Sequence, residues 1–598
     1  MTVSGDLPSP AVMTSVSTPP LLTGERAVVV LFIACIMFSL PPSLLLPGGF
    51  LSFLSFFALC VEIRGESSGS LSYLKTRPGA SSGILLGAVT LPALMLSRLI
   101  QLSRALSLDE IELREVDYLQ MQYWAASVSC FAVLIFLSSV IWAAPGSSRS
   151  HSRRVLISAK FIIGCIVLIA AFYNISPNVF LQLSLMALSD CYAFILTGMS
   201  TTTKLMWVLF HGLATVKLML HLLETFPSCS SIGETLLVTA GLVLYFGDIS
   251  ACTIAKASLH GYWSSSELAF VQNGTRKNEI STVIQGLLLG LLLFPVAFKF
   301  LLHALDSFPS VTSSGTMIQN ERRRSLIFFV SFGLIMFVVM PLWMQFVQDF
   351  QKHPLLWVVD FVFSEPAKRL SLCIYWVCLI YVSVRRFYYI SKNSKTERIL
   401  LRKYYHLMAV SMFVPAVIFQ PKFLDLAFGA ALAVFLTLEI IRVWRIWPLG
   451  QLVHQFMNAF TDHRDSELLI VSHFSLLLGC ALPIWLSSGY NDRPLAPFAG
   501  ILSLGIGDTM ASMVGHKYGV LRWSKTGKKT IEGTAAGITS VLAACSVLLP
   551  VLASTGYIFT QHWLHLFLAV IVSGLLEAYT AQLDNAFIPL VFYSLLCL

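Results

Sequence analysis

The sequence predicts an all-α polytopic membrane protein of roughly 13–17 transmembrane helices, with a cytosolic-face active site in its C-terminal third. Three observations carry that expectation. Of the 598 residues, 56% are apolar and only 12% charged, and the mean hydropathy is +0.76. Runs of about 18 or more apolar residues, enough to cross ~30 Å of hydrocarbon as helix, recur along most of the chain. Polar groups, by contrast, gather at helix ends beyond about residue 400. A soluble chain of this length would form several domains with near a quarter of its residues charged. No repeat of 20–50 residues is visible, which argues against a solenoid.

In chain order, residues 1–24 are rich in Ser, Thr and Pro and lack the basic start and small-residue cleavage site of a secretory signal. They read as a disordered tail before an uncleaved first span. Candidate spans follow at 27–46, 84–104, 121–144, 155–173, 178–199, 203–222, 233–257, 281–303 and 325–348. Others lie at 366–384, 407–420, 424–443, 468–488, 495–512, 534–555, 559–578 and 586–598, with 49–62 a further span or half of one. The 12 cysteines are scattered, without a C-x-x-C pair, so neither a disulfide framework nor a zinc site is indicated. Connectors such as "RGESSGSLSYLKTRPGASSG", "SLDEIELREVD" and "NERRR" have no spacing that chemistry demands. Residues 25–400 therefore read as a multi-span membrane region and 401–598 as a catalytic membrane domain.

Orientation comes from Lys and Arg in short loops. The segments 385–406 and 515–529 are the richest and are expected in the cytosol; the net charge of +9 fits that retention signal. No nucleic-acid signature accompanies it. Counting crossings from Arg402 delivers 450–467, Asp508 with the lysine segment, and Glu577, Asp584 and Asn585 to the same face. That convergence has the form of an active site at a membrane surface.

Each cluster admits a bland and a chemical reading. "GIGD" places Asp508 at or just past the end of an apolar run, either as a hydrated helix-end aspartate or as a ligand for Mg²⁺. "KTGKKTIEGT" offers Lys528, Lys529, Thr530 and the glycines Gly527 and Gly533 ahead of an apolar run. It is either a loop that sets topology or a phosphate site made by lysines and open helix-terminal amides. The Walker spacing G-x-x-x-x-G-K-[ST] is not met. "FTDHRDSELL" supplies Asp462 and Arg464, as solvated charges or as a proton acceptor and a phosphate clamp. Glu439 and Arg442, three apart, are expected to pair and snorkel at a span's end. Histidine spacing gives no metal motif.

The combination "RKYYH", "FTDHRDSELLIVSHFSLLLGCALPIW", "GIGDTMASMVG", "RW" with "KKTIEGT", and "EAYTAQLDN" resembles dolichol kinase of the endoplasmic reticulum. That family phosphorylates the terminal hydroxyl of dolichol with CTP. The resemblance covers residues 400–598; the preceding part is similar only as a multi-span region. Asp508, Lys528, Lys529, Thr530, Glu532 and Gly533 match that family's CTP-binding signature, and Gly527, Arg522 and Arg464 are expected to join Lys528, Lys529, Thr530 and Gly533 in binding the nucleotide. Asp508 is then expected to hold Mg²⁺, with Asp584 in the acidic cluster beside Glu577 a second metal or base candidate, and Glu532, Asp584 or Asp462 to orient the alcohol. The expected partners are CTP and a dolichol or polyprenol lipid, in the endoplasmic reticulum membrane with the site facing the cytosol. The rival is a CTP-dependent cytidylyltransferase of the CDP-diacylglycerol synthase type, which shares G-D-x-x-A and K-K-T-x-E-G. This sequence lacks the proline before the paired lysines and the glycine- and histidine-rich tail of that pattern. A shorter-chain polyprenol or phytol kinase resembles a smaller protein. A transporter would place charges near mid-membrane in two corresponding halves.

Overall fold

The computed structural model describes residues 23–68, 71, 74–77, 81–108, 110–111, 113–142, 201–259, 278–307, 317–393, 398–458, 470–523, 529–556 and 562–598. The chain opens with α1 (Gly24–Phe38), α2 (Leu45–Ser68), α3 (Ile84–Ser107) and α4 (Leu113–Trp142). Next come α5 (Thr201–Thr225), α6 (Ile232–Leu259), α7 (Glu279–Asp306) and α8 (Met317–Leu334), which passes through a π turn into α9 (Met340–Val347). Then follow α10 (Pro354–Ser364), α11 (Pro366–Asn393), α12 (Arg398–Phe419), α13 (Pro421–Trp444), α14 (Gly450–Asn458) and α15 (Val471–Leu486). The last elements are a π-helix (Ile501–Asp508), α16 (Thr509–Tyr518), α17 (Ile531–Ser554), α18 (Trp563–Tyr579) and α19 (Asp584–Leu596). Among the described residues the β pairing is an isolated bridge, Arg522 to Thr530, and nine helices are long and apolar enough to cross a membrane.

Most expected spans become helices, with local differences. The run 27–46 splits into the 15-residue α1 and the start of α2, because Pro41 and Pro42 remove donors and fix the backbone between them. The uncertain 49–62 is consequently the middle of a full-length helix. Thr23 caps α1 by accepting from Arg26 N at 3.4 Å, so structure starts inside the expected tail; residues 1–22 lie outside the described residues. So do the candidate spans 155–173 and 178–199. Glu439 and Arg442 do pair, at 2.6 and 2.7 Å, but both are buried instead of snorkelling. Glu439 also accepts from Ile470 N at 3.1 Å, so the pair ties α13 to the entry of α15.

α3 is the central post of the bundle, buried along almost all of its apolar length. It crosses α6 at glycine: a Cβ on Gly87 would stand 2.4 Å from the Gly233 carbonyl oxygen. One apolar core runs from Val28 through α3 and α4 to Phe587, Phe592 and Leu596 of α19, so packing crosses residue 400 freely. The two ends of the bundle are marked by polar contacts. At one end Arg104 of α3 meets Asp492 at 3.1 Å and the Cys597 carbonyl at 2.7 Å. At the other, α3, α6, α17 and α19 begin and α18 ends.

Candidate active site

The helical run holding Asp508 continues ten residues beyond it as α16, since Thr-Met-Ala-Ser-Met contains no breaker. Asp508 is therefore inside a helix, 2% exposed, where the sequence suggested a helix end. It lies in the wide π turn, a form often found at functional sites. Lys403 and His406, three apart on one face of α12, reach it. The Lys403 ammonium is bonded to the Asp508 carboxylate, and His406 Nδ1 is 3.2 Å from the same oxygen and 3.1 Å from the Leu504 carbonyl. Gly505 makes this approach possible, because a Cβ there would stand 2.3 Å from Val410 of α12. An ionised carboxylate near hydrocarbon costs roughly 2.5–3.5 kcal/mol at a helix centre. The lysine offsets that cost.

The lysine loop folds back as a short hairpin. Ile531 N donates to the Leu521 carbonyl at 2.8 Å and Trp523 N to the Lys529 carbonyl at 3.3 Å. The Glu532 carboxylate accepts from Leu521 N at 3.0 and 3.2 Å. Thr530 is the N-cap of α17: its Oγ1 accepts from Gly533 N at 3.2 Å and its carbonyl from Thr534 N at 3.1 Å. The amides of Ile531, Gly533 and Thr534 are thus engaged within the loop. Two of these amides meet backbone carbonyls and Gly533 N meets the Thr530 hydroxyl, so these three are already bonded within the protein. Gly533 serves packing, since a Cβ would stand 2.6 Å from the Ala511 carbonyl oxygen. The Trp523 indole donates to Thr534 Oγ1 at 2.9 Å and its ring lies 5.1 Å from that of Tyr579, pinning the hairpin to the end of α18.

Lys529 points out of this hairpin toward α18. Its ammonium donates to the Glu577 carbonyl and stands 3.8 Å from the Glu577 carboxylate. Asp584 opens α19 and accepts from Asn585 N at 3.2 Å. Lys403 feels the charges of Asp508, Asp584 and Glu577, and Glu577 those of Lys529, Asp508, Lys403 and Asp584. Two lysines, a histidine and three carboxylates from five chain segments therefore share one basin. A small crevice is lined by Glu577 together with Gly507, Thr534, Gly537, Val541 and Phe592, so it has one carboxylate among small and apolar groups. Among the described residues no three His, Cys, Asp or Glu side chains stand close enough to hold a metal by themselves. The donor set does fit Mg²⁺, which takes one or two carboxylates and completes its shell with phosphate oxygens and water.

A dolichol kinase family profile matches residues 192–483. The chain is 60% identical over 578 residues to dolichol kinase EVAN of Arabidopsis thaliana, covering 96% of this chain and 99% of that protein. The chain belongs to the dolichol kinase family. It is similar to the dolichol kinase of Homo sapiens, 33% identical over 398 residues, which is 64% of this chain and 67% of that one. With the Saccharomyces cerevisiae dolichol kinase it shares 32% identity over 240 residues, 40% and 44% of the two chains. No solved structure matches. Likeness to dolichol kinases extends well beyond residues 400–598, to which the motifs confined it.

In this dolichol kinase family member the structure brings Asp508, Lys529 and Asp584 together with Glu577. Thr530, Glu532 and Gly533 build the hairpin, and Arg522 lies exposed on it with its backbone paired to Thr530. Asp462, Arg464, Gly527 and Lys528 lie outside the described residues. Sequence reasoning named neither Lys403 nor His406 as site residues. The signal was present: within "RKYYH" they are three apart, a spacing that aims two polar side chains at one helical neighbour.

Proposed function

We propose that this protein transfers the γ-phosphoryl group of CTP to the terminal hydroxyl of dolichol, with Mg²⁺, at the cytosolic face of the endoplasmic reticulum membrane. The observation that carries the reading is the 60% identity to a plant dolichol kinase across 96% of the chain. The basin supports it by uniting cationic groups suited to phosphates with a crevice lined by small and apolar groups. Lys529, together with Gly527, Lys528, Arg522 and Arg464, holds the nucleotide, while Thr530 and Gly533 keep the hairpin in shape. Asp508 and Asp584 would hold Mg²⁺, which when bound neutralises charge on the phosphate oxygens.

Phosphoryl transfer is chiefly a matter of positioning and charge neutralisation. The dolichol hydroxyl oxygen forms a bond to the γ-phosphorus, the bond from that phosphorus to the β,γ-bridging oxygen breaks, and CDP leaves. Glu577, a carboxylate lining the crevice, takes the hydroxyl proton in this reading. Glu532 is a weaker candidate for that role because Leu521 occupies its carboxylate.

Purified protein supplied with dolichol and γ-labelled CTP or ATP tests the reading. The expected products are labelled lipid monophosphate and CDP, formed faster from CTP. Pyrophosphate with a CDP-lipid would instead establish a cytidylyltransferase. Val520, 81% exposed on the hairpin, tests orientation. In a cysteine-free background, Val520→Cys should react with an impermeant maleimide from the outside of sealed microsomes; protection there would reverse the assigned face.

A further inference from the structure

The turn joining Glu577 to Asp584 is held by residues some 350–500 positions earlier in the chain. Arg77 and Glu234, both buried, pair at 2.7 Å. Each also grips the turn: Arg77 Nη2 donates to the Ala581 carbonyl at 3.2 Å, and Glu234 accepts from Leu583 N at 2.7 Å. Between them Gln582 is 1% exposed. Its Nε2 donates to the Ser81 carbonyl at 3.0 Å and Ser81 Oγ at 2.9 Å, and its Oε1 accepts from Ser231 Oγ. Space for this amide exists because Gly83, at φ +61°, would with a Cβ collide with Gln582 Cδ at 2.4 Å, and because a Cβ on Gly233 would strike the Gly83 carbonyl at 1.9 Å. The start of α6 and the segment leading into α3 thus close on three successive residues immediately before Asp584, two through their backbone and Gln582 through its side chain.

Such a junction exceeds what helix packing demands. A buried polar cluster could be replaced by apolar side chains with little loss of stability, or some gain, whereas side chains that bond the backbone of a turn from several directions fix one geometry for it; Arg77 Nη1 is the atom of this cluster left without a hydrogen bond. We infer that Arg77, Glu234 and Gln582 are positioning residues for phosphoryl transfer, setting Glu577 and Asp584 against the nucleotide, so that the N-terminal region helps build the site. The inference rests on the reading that those two carboxylates line the transfer site. A displacement near 1 Å can lower turnover about 100-fold with binding preserved.

The test uses the full chain reconstituted with dolichol. Labelled-CTP dialysis counts competent sites, and turnover is expressed per site. Gln582→Met and Glu234→Gln are expected to lower kcat by roughly 10–100-fold, with the KM for CTP and the number of CTP sites within about 3-fold of wild type. Glu234→Asp, which restores the carboxylate, should recover most of the loss. Wild-type turnover per site in both variants would overturn the inference. A loss confined to yield, thermal midpoint and the count of CTP sites would overturn it too, since packing alone explains that. Asp584→Asn run alongside separates the two readings. If it retains wild-type turnover the site assignment is wrong; if it is inactive while Gln582→Met is normal, only the junction fails.

Discussion

At the scale of single residues, the site is a balance of buried charges in which each carboxylate has a different task. Asp508 is held by Lys403 and His406, whereas Glu532 is spent on the Leu521 amide at the outer edge of the hairpin. Asp508→Asn should therefore cut kcat/KM by about 10²–10³, the usual loss on removing one charge-stabilising group, with Lys529→Ala falling in the same range. Glu532→Gln, which keeps an oxygen acceptor for Leu521, should stay within about 5-fold of wild type, since a neutral acceptor preserves most of the bond. Steady-state kinetics on detergent-purified variants decides this, and an Asp508→Asn enzyme as active as Glu532→Gln would remove Asp508 from the mechanism. The charged motifs around Asp508, Lys529 and Asp584 were legible in the sequence because charge is conspicuous in an apolar chain. Their pairings were not: Lys403 and Asp508 are 105 positions apart, and nothing local in "GIGD" shows that the helix runs on to Tyr518.

At the scale of elements, glycine decides how closely the site helices approach. α17 lies against the π turn and α16 through Gly533 and Gly537, whose Cβ atoms would stand 2.6 Å from the Ala511 carbonyl and 3.0 Å from the Gly507 carbonyl. Backbone cannot yield as a flexible side chain can. Gly533→Ala should therefore separate α17 from α16, costing about 1–3 kcal/mol and most of the activity. Gly241→Ala, where a Cβ meets nothing within 4 Å, should behave as wild type. Thermal unfolding monitored by tryptophan fluorescence, read beside turnover, checks both; equal midpoints for the two variants would show that the glycine contact is not what sets the helix spacing. The helices themselves were visible as apolar runs. Their interruptions were less so, because a π turn has the composition of an α-helix and the split of 27–46 depends on two prolines inside an otherwise apolar stretch.

At the scale of the whole molecule, the division of the chain at residue 400 is one of polarity, while the core ignores it. Expressed alone, residues 401–598 would leave Leu566, Phe587 and Phe592 without the packing of the first helices. That fragment is expected to elute as a polydisperse aggregate in mild detergent and to lack turnover, whereas co-expression with 1–400 should restore a single species; a monodisperse, active fragment would refute this. One helix stands apart from the dense centre. Among the described residues α11 is the least covered of the nine candidate spans, and it hangs on α12 through Tyr375 and Trp376, which donate to the Ser411 and Met412 carbonyls at 2.8 and 2.9 Å. Arg369 and Trp376 of α11 also reach Gln420 at 3.3 Å and the ring of Phe423 at 5.9 Å, so its tilt is set by these few contacts. Its partner α12 carries Lys403 toward its other end, so the most sparsely packed of the described spans and the ammonium beside Asp508 hang on one and the same helix.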